Sequence, residues 1–276
     1  MDRIRLIASD MDATLLDEQS QLPADFEETI HALAELGIRF APASGRPLYT
    51  LEAMFPTLQD ELVFIGDNGG AIRWKGQNLF TSEMSPEGWR ALNRLTREQG
   101  DIAVLCGLES AYVERPFAVH DAVLRHFYTK IEYVDRLEDV TAPADKFTIY
   151  LPQHNAQQAY DTVYASQRSI YSVAVAGECW VDIMNPGVHK GAALQTLGQL
   201  WGLPSESMMA FGDTYNDAEM LRTAKYGFLM ENGSVPLRRN VPFLAPSHRE
   251  AGVMQVLHRV LAQNGCVCPE DFVPAH

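Results

Sequence analysis

Along this chain, short apolar runs end abruptly in polar loops, and stepped apolar patterns separate them. Ile4–Ser9 is the first run and stops at Asp10, which predicts a buried strand. Phe26, Ile30, Leu33 and Leu36 then recur at helical steps between Pro23 and Gly37, which predicts an amphipathic helix with a start and a stop. A second strand, Ile38–Ala43, ends at Ser44-Gly45-Arg46, and Pro47 opens a helix running to about Phe55. Leu62–Ile65 is a third strand, followed by Asn68-Gly69-Gly70. Strands alternating with helices, each strand ending in a polar or glycine-rich loop, predict a doubly wound parallel sheet, an α/β core of Rossmann-like type.

The rhythm changes after Ala71. Ala71–Trp74 and Asn78–Thr81 flank Lys75-Gly76-Gln77 and read as a hairpin. Ser85-Pro86 starts a helix with Trp89, Leu92 and Leu95 on one face and Gly100 at its end. Strands are expected at Ile102–Cys106, Ala111–Glu114, Phe147–Leu151, Ile170–Val175 and Cys179–Met184, with helices near Phe117–Phe127 and Ala156–Gln167. This middle block reads as an inserted α+β domain. The alternation returns at His189, with a helix to Trp201, a strand Met208–Phe211, and later strands near Gly227–Met230 and Val241–Leu244. A last helix carries Val253, Val256, Leu257 and Val260, and the tail Asn264–His276 is expected to be irregular. The division that follows is a core from 1–83 and 187–276, with an inserted domain from 84–186.

Composition narrows the function. Lysine and arginine number 22 against 36 acidic residues, a net charge of −14. Such a chain repels nucleic-acid backbones and anionic membrane surfaces, although a pocket or a metal can reverse the sign locally. The longest uncharged run, Gly191–Ser205, holds glutamines and glycines and is too short to span a bilayer. The acidic residues of the N-terminal stretch argue against a signal peptide. Cys106, Cys179, Cys266 and Cys268 have neither zinc nor disulfide-framework spacing, which fits free thiols in a reducing cytoplasm.

Four polar clusters fall at strand or helix ends, where open α/β sheets carry their sites. They are Asp10-Met11-Asp12-Ala13-Thr14, Ser44-Gly45-Arg46, Lys190, and Gly212-Asp213-Thr214-Tyr215-Asn216-Asp217. In that order they resemble the motifs of the haloacid dehalogenase superfamily of phosphotransferases. The long insertion between the second and third motifs is similar to the cap of its Cof-type sugar-phosphate phosphatases. The chemistry is coherent on its own terms. Phosphate monoesters are among the slowest compounds to hydrolyse, and a carboxylate nucleophile divides the reaction into two steps. An anion attacking an anion calls for Mg²⁺ and cationic side chains.

The resemblance implies Asp10 as nucleophile and Asp12 as general acid and base, two residues apart and so on one side of an extended segment. It implies Mg²⁺ held by the Asp10 carboxylate, the Asp12 carbonyl and the Asp213 carboxylate. Lys190 is the implied phosphate-facing cation, Asn216 and Asp217 fall in supporting positions that hold Lys190, waters or the phosphate oxygens of the substrate, and Ser44 with the Gly45 amide is the phosphoryl receptor. Arg46 either touches substrate or forms an ion pair. Asn68 either lines the site or merely makes a turn, and Thr14 supports the loop. Ala13 stands where the subgroup usually has glycine, and alanine is comfortable there only at negative φ.

The expected activity is Mg²⁺-dependent hydrolysis of a small phosphate monoester, such as a sugar phosphate, by way of an aspartyl-phosphate. The inserted domain would close over the site and exclude water. A phosphomutase of the same fold and a catalytically silent binding protein are the alternatives. A dehydrogenase is disfavoured because no GxGxxG follows the first strand. Tyr112, Phe117, His120, Glu178 and Trp180 are candidate specificity residues in the insertion.

Overall fold

A computed structural model describes all 276 residues. The larger sheet has nine strands in the order Val273–Pro274, Phe243–Ala245, Tyr226–Met230, Met208–Gly212, Leu6–Asp10, Arg39–Ala43, Val63–Gly66, Ala71–Trp74 and Gln77–Thr81. The strands from Phe243–Ala245 across to Val63–Gly66 run parallel, and antiparallel strands close both edges. Side chains alternate between its faces. Ile7 packs with Phe26, Phe40, Phe64 and Leu257 under the helices Phe26–Glu35 and Gly252–Ala262. Leu6 and Ala8 pack with Leu194, Leu197 and Leu221 under Lys190–Trp201 and Ala218–Thr223. Both faces are dry, which explains why Leu6–Asp10 is buried at every position.

The expected α/β class is the one found. The chain leaves this sheet after Thr81 and rejoins it at Met208, by way of the helix Lys190–Trp201. Between these points lies a second sheet, in the order Ser172–Val175, Trp180–Met184, Ala144–Tyr150, Ile102–Gly107, Ala111–Glu114 and Ile131–Val134. Its odd-numbered Phe147, Ile149, Val181 and Ile183 pack against Trp89, Leu92 and Ala156. Its other face therefore presents Lys146, Thr148, Trp180 and Asp182, with Thr148 directly opposite Asp182 in the ladder. That face is turned toward the core.

Three local expectations need correction. Ile131–Val134 is a strand that the pattern missed; it pairs parallel with Ala111–Glu114, and its alternation is blurred by polar neighbours. The helix at Ala156 stops at Thr162 and is followed by a tighter 3₁₀ turn over Tyr164–Ser169; Phe117–Phe127 divides in the opposite order, a 3₁₀ turn over Arg115–His120 ahead of the helix Asp121–Phe127. The tail is ordered: Cys266–Val267 pairs with Asp2–Arg3 and Val273–Pro274 with Leu244 and Phe243. Phe272 anchors it by packing edge-on against Phe228 at 5.0 Å and Tyr226 at 5.8 Å.

Candidate active site

The chain order of the parallel strands reverses between Leu6–Asp10 and Met208–Gly212, the position where open α/β sheets leave a crevice. Pairing of Ser9 with Phe211 and Asp10 with Ala43 brings Asp10, Asp213 and Ser44 to one edge. Lys190 begins the helix capped by His189, whose Nδ1 accepts the Ala192 amide at 3.1 Å. Its fully buried ammonium donates to Asp10 Oδ1 at 2.5 Å and to Asp217 Oδ1 at 2.6 Å. Asp217 Oδ2 accepts the amides of Asp213 at 3.0 Å and Thr214 at 3.2 Å, so both its oxygens are committed. Glycine is required at 212, because a Cβ there would lie 2.4 Å from Asp217 Cβ.

Carboxylate oxygens of Asp10, Asp213 and Asp217 lie within 4.8 Å of one another. Three carboxylates against one ammonium is an excess of negative charge in a dry place. Burial, and then the charge of Asp217, push Asp10 up to about 8 and Asp213 up to about 6. Burial works against the Lys190 charge, but Asp10 and Asp217 outweigh it and raise the ammonium above its ordinary range. Hard oxygen donors with surplus negative charge fit a divalent cation such as Mg²⁺. Asp217, already saturated, fits a supporting place; Asp10 and Asp213 keep oxygens free. Thr14 Oγ1 reaches Asp213 Oδ1 at 3.5 Å. Asn216 Oδ1 accepts the Thr214 hydroxyl at 2.6 Å.

Asp10 and Asp12 line the same cavity, but different cations engage them. Arg46 forks onto Asp12, at 2.6 Å to Oδ2 and 3.0 Å to Oδ1. The bidentate geometry is the strong form of such a pair. Of the two expectations for Arg46, this structure contains the ion pair. Ala13 has φ +56°, in the left-handed region, so the condition that made alanine comfortable there is not met. Asn232 Nδ2 holds the Ala13 carbonyl at 2.8 Å. Asn68, likewise left-handed at φ +55°, makes the turn and also lines the cavity, donating to Asp182 Oδ2 at 3.2 Å.

The cavity between the two sheets has a volume of about 650 Å³. Ser44, Gly45, Arg46 and Asn216 form part of its core side. The inserted domain contributes Phe127, Tyr128 and Trp180, with Lys146, Thr148 and Asp182. Trp180 packs on Phe127 at 5.0 Å and Tyr150 at 4.6 Å. Of the candidate specificity residues, only Trp180 reaches the cavity; Tyr112, Phe117, His120 and Glu178 do not line it. Lys146, Asp182, Asp67 and Asp145 escaped sequence reasoning. A signal was present: Asp145 and Lys146 stand side by side just ahead of Phe147, Ile149 and Tyr150, and the structure buries all seven residues of Ala144–Tyr150. Burial opposes the Lys146 charge, yet Asp182 and Asp67 hold the ammonium well above its ordinary range.

The chain belongs to the haloacid dehalogenase-like hydrolases, whose family model matches residues 7–257. Within that family it is a phosphatase of the Cof type. It is similar to the 5-amino-6-(5-phospho-D-ribitylamino)uracil phosphatase YbjI of Escherichia coli, 32% identical over 94% of this chain and 96% of the relative. It is similar also to the HMP-PP phosphatase of Cronobacter sakazakii, 31% identical over 87% and 89% of the two chains. Among solved structures, SMU.1108c from Streptococcus mutans superposes with a TM-score of 0.83 at 29% identity, covering 94% of this chain and 99% of that one. No helix is long and apolar enough to cross a membrane, and all four cysteines are free thiols.

Proposed function

We propose that this chain is a Mg²⁺-dependent phosphatase of small phosphate monoesters that works through an aspartyl-phosphate on Asp10. The carrying observation is the Lys190 ammonium set between Asp10 and Asp217 at the carboxyl ends of adjacent strands, with Asp213 beside them. Asp10 and Asp213, with the Asp12 carbonyl, would hold Mg²⁺, which supplies charge neutralisation for the transferring phosphoryl group. The Asp10 oxygen bonds to phosphorus as the ester P–O bond breaks, and Asp12 delivers a proton to the leaving oxygen. Water then attacks the aspartyl-phosphate, giving its proton to Asp12, and free phosphate leaves with Asp10 restored. Asp12 acts only after its carboxylate leaves the Arg46 fork, which frees Arg46 for the phosphoryl oxygens. Ser44 and the Gly45 amide receive those oxygens, and Lys190 holds Asp10 in place.

In this reading residues 84–186 form the cap and 1–83 with 187–276 the core. Trp180, Phe127 and Tyr128 face the leaving group. Such a wall suits a flat ring, in keeping with the ring-bearing substrate in the name of the Escherichia coli relative. The acidic chain and its free cysteines support small phosphorylated metabolites of the cytoplasm as partners. The test is a panel of phosphorylated metabolites with Mg²⁺, assayed both for free phosphate and for isomerised phosphate ester. Phosphate release is the expected result. Isomerisation without release would mean a mutase, and no reaction with any member would count for a silent protein.

A further inference from the structure

We propose that Lys146, carried by the cap, positions the phosphate-receiving loop Ser44–Gly45–Arg46 of the core. The inference rests on the phosphatase reading above, in which that loop binds the phosphoryl oxygens. Three successive carbonyls of the loop are held. The Asn68 amide donates to Ser44 O at 2.9 Å and the Asp67 amide to Arg46 O at 2.9 Å. Between them, Lys146 Nζ donates to Gly45 O at 2.6 Å.

The C=O and N–H of one trans peptide point in opposite directions, so holding the carbonyl aims the amide. With Gly45 O fixed by Lys146, the Arg46 amide of the same peptide turns to Ser44 Oγ at 3.1 Å. Ser44 Oγ therefore accepts from the loop, and its own hydrogen has no protein acceptor and is left to donate. With Ser44 O fixed by Asn68, the Gly45 amide is aimed likewise and has no protein acceptor either. Two donors are thus set toward an anion. Two of the three restraints come from the core turn at Asp67-Asn68; the third comes from the cap alone.

The Lys146 ammonium is itself tightly placed. Asp67 Oδ1 lies 2.9 Å away and Asp182 Oδ2 3.8 Å away, and all three side chains are nearly fully buried. Asp182 is in turn fixed by Thr148 Oγ1 at 2.7 Å and by Asn68 Nδ2 at 3.2 Å. A long flexible side chain thereby becomes a strut. The cap then acts on phosphate binding through Gly45 O and Ser44, besides roofing the cavity.

The experiment measures binding of inorganic phosphate by calorimetry, in saturating Mg²⁺, to wild type, Lys146→Met, Ser44→Ala and the double variant. Each single change is expected to weaken phosphate binding about 10- to 100-fold, the range for one hydrogen bond to a charged group. The double variant is expected to be no more than a few-fold weaker than the worse single one, because both act through one hydroxyl. Lys146→Met leaves Asp67 and Asp182 without their cation, so Lys146→Met/Asp67→Asn is measured too; it restores the local charge and still frees Gly45 O. An ion pair that merely joins cap and core would lower the melting temperature and leave phosphate affinity alone. Undiminished affinity in a folded Lys146 variant, or fully additive losses, would overturn the proposal alone. A wild type that neither binds phosphate nor hydrolyses monoesters would overturn the phosphatase reading and this proposal together.

Discussion

Replacing Lys190 by methionine removes the one cation that touches both Asp10 and Asp217 while nearly preserving length. Lys190 is fully buried, and its ammonium stands 2.5 and 2.6 Å from two carboxylates. Removing one partner of a buried ion pair costs about 3–5 kcal/mol, since the remaining charge is left uncompensated. At about 2–4 °C per kcal/mol for chains of this size, the metal-free variant melts roughly 6–20 °C lower. The loss has a direction in pH. Asp10, already pushed up to about 8 by burial and Asp217, and Asp213, up to about 6, are pushed higher still without the ammonium. A carboxyl whose folded pKa is raised favours the folded state below its unfolded pKa near 3.8, and that support fades as pH climbs through the folded value. Metal-free Lys190→Met is therefore expected to lose more at pH 9 than at pH 5, with millimolar Mg²⁺ restoring part of the difference. Differential scanning calorimetry of EDTA-treated protein at both pH values measures it. A loss equal at pH 5 and pH 9, or below about 2 °C at both, would refute the electrostatic argument for this cluster.

Asp10→Asn keeps the shape but supplies a poor nucleophile; turnover of the purified, folded variant is expected to vanish, and a rate near wild type would remove Asp10 from that role. Asp213→Ala leaves one carboxylate fewer for a hard dication, so activity is expected to disappear at low Mg²⁺ and partly return at high Mg²⁺; superimposable Mg²⁺ titrations would take Asp213 out of the metal site. Ala13→Gly relieves a left-handed residue at φ +56°, a strain of about 1–2 kcal/mol partly offset by the greater freedom of unfolded glycine. The melting temperature is expected to rise by about 2–4 °C, and a fall would mean that the loop tolerates alanine without strain.

Much of this protein is legible in its sequence because the relevant forces are local. The strand Leu6–Asp10 opens on apolar Leu6, Ile7 and Ala8 and ends on polar Ser9 and Asp10, and burial on both faces permits little else before its end. Ser85 and Gly100 bracket the helix Pro86–Gln99 as cap and left-handed stop, and they do so in the structure through the Gly88 amide and a φ of +75°. Lys190 and the Asp213–Asp217 segment are recognisable because each sits where a regular element meets a loop. Other features depend on distant parts of the chain. The tail looks irregular by composition, and only packing of Phe272 against Phe228 and Tyr226 gives Val273–Pro274 a strand to join. Arg46 lies 34 residues from Asp12, and only the pairing of Leu6–Asp10 with Arg39–Ala43 brings their loops together. Lys146 lies 101 residues from Gly45, and no local pattern could place its ammonium on that carbonyl. The sequence by itself determined most of the elements, though not Ile131–Val134 or the strands of the tail, and the motif-bearing loops, because backbone propensity and the inside–outside alternation act over a few residues. Which donors, charges and aromatic faces meet across the cavity was decided by the tertiary structure alone, because that depends on how the cap sheet is set against the core.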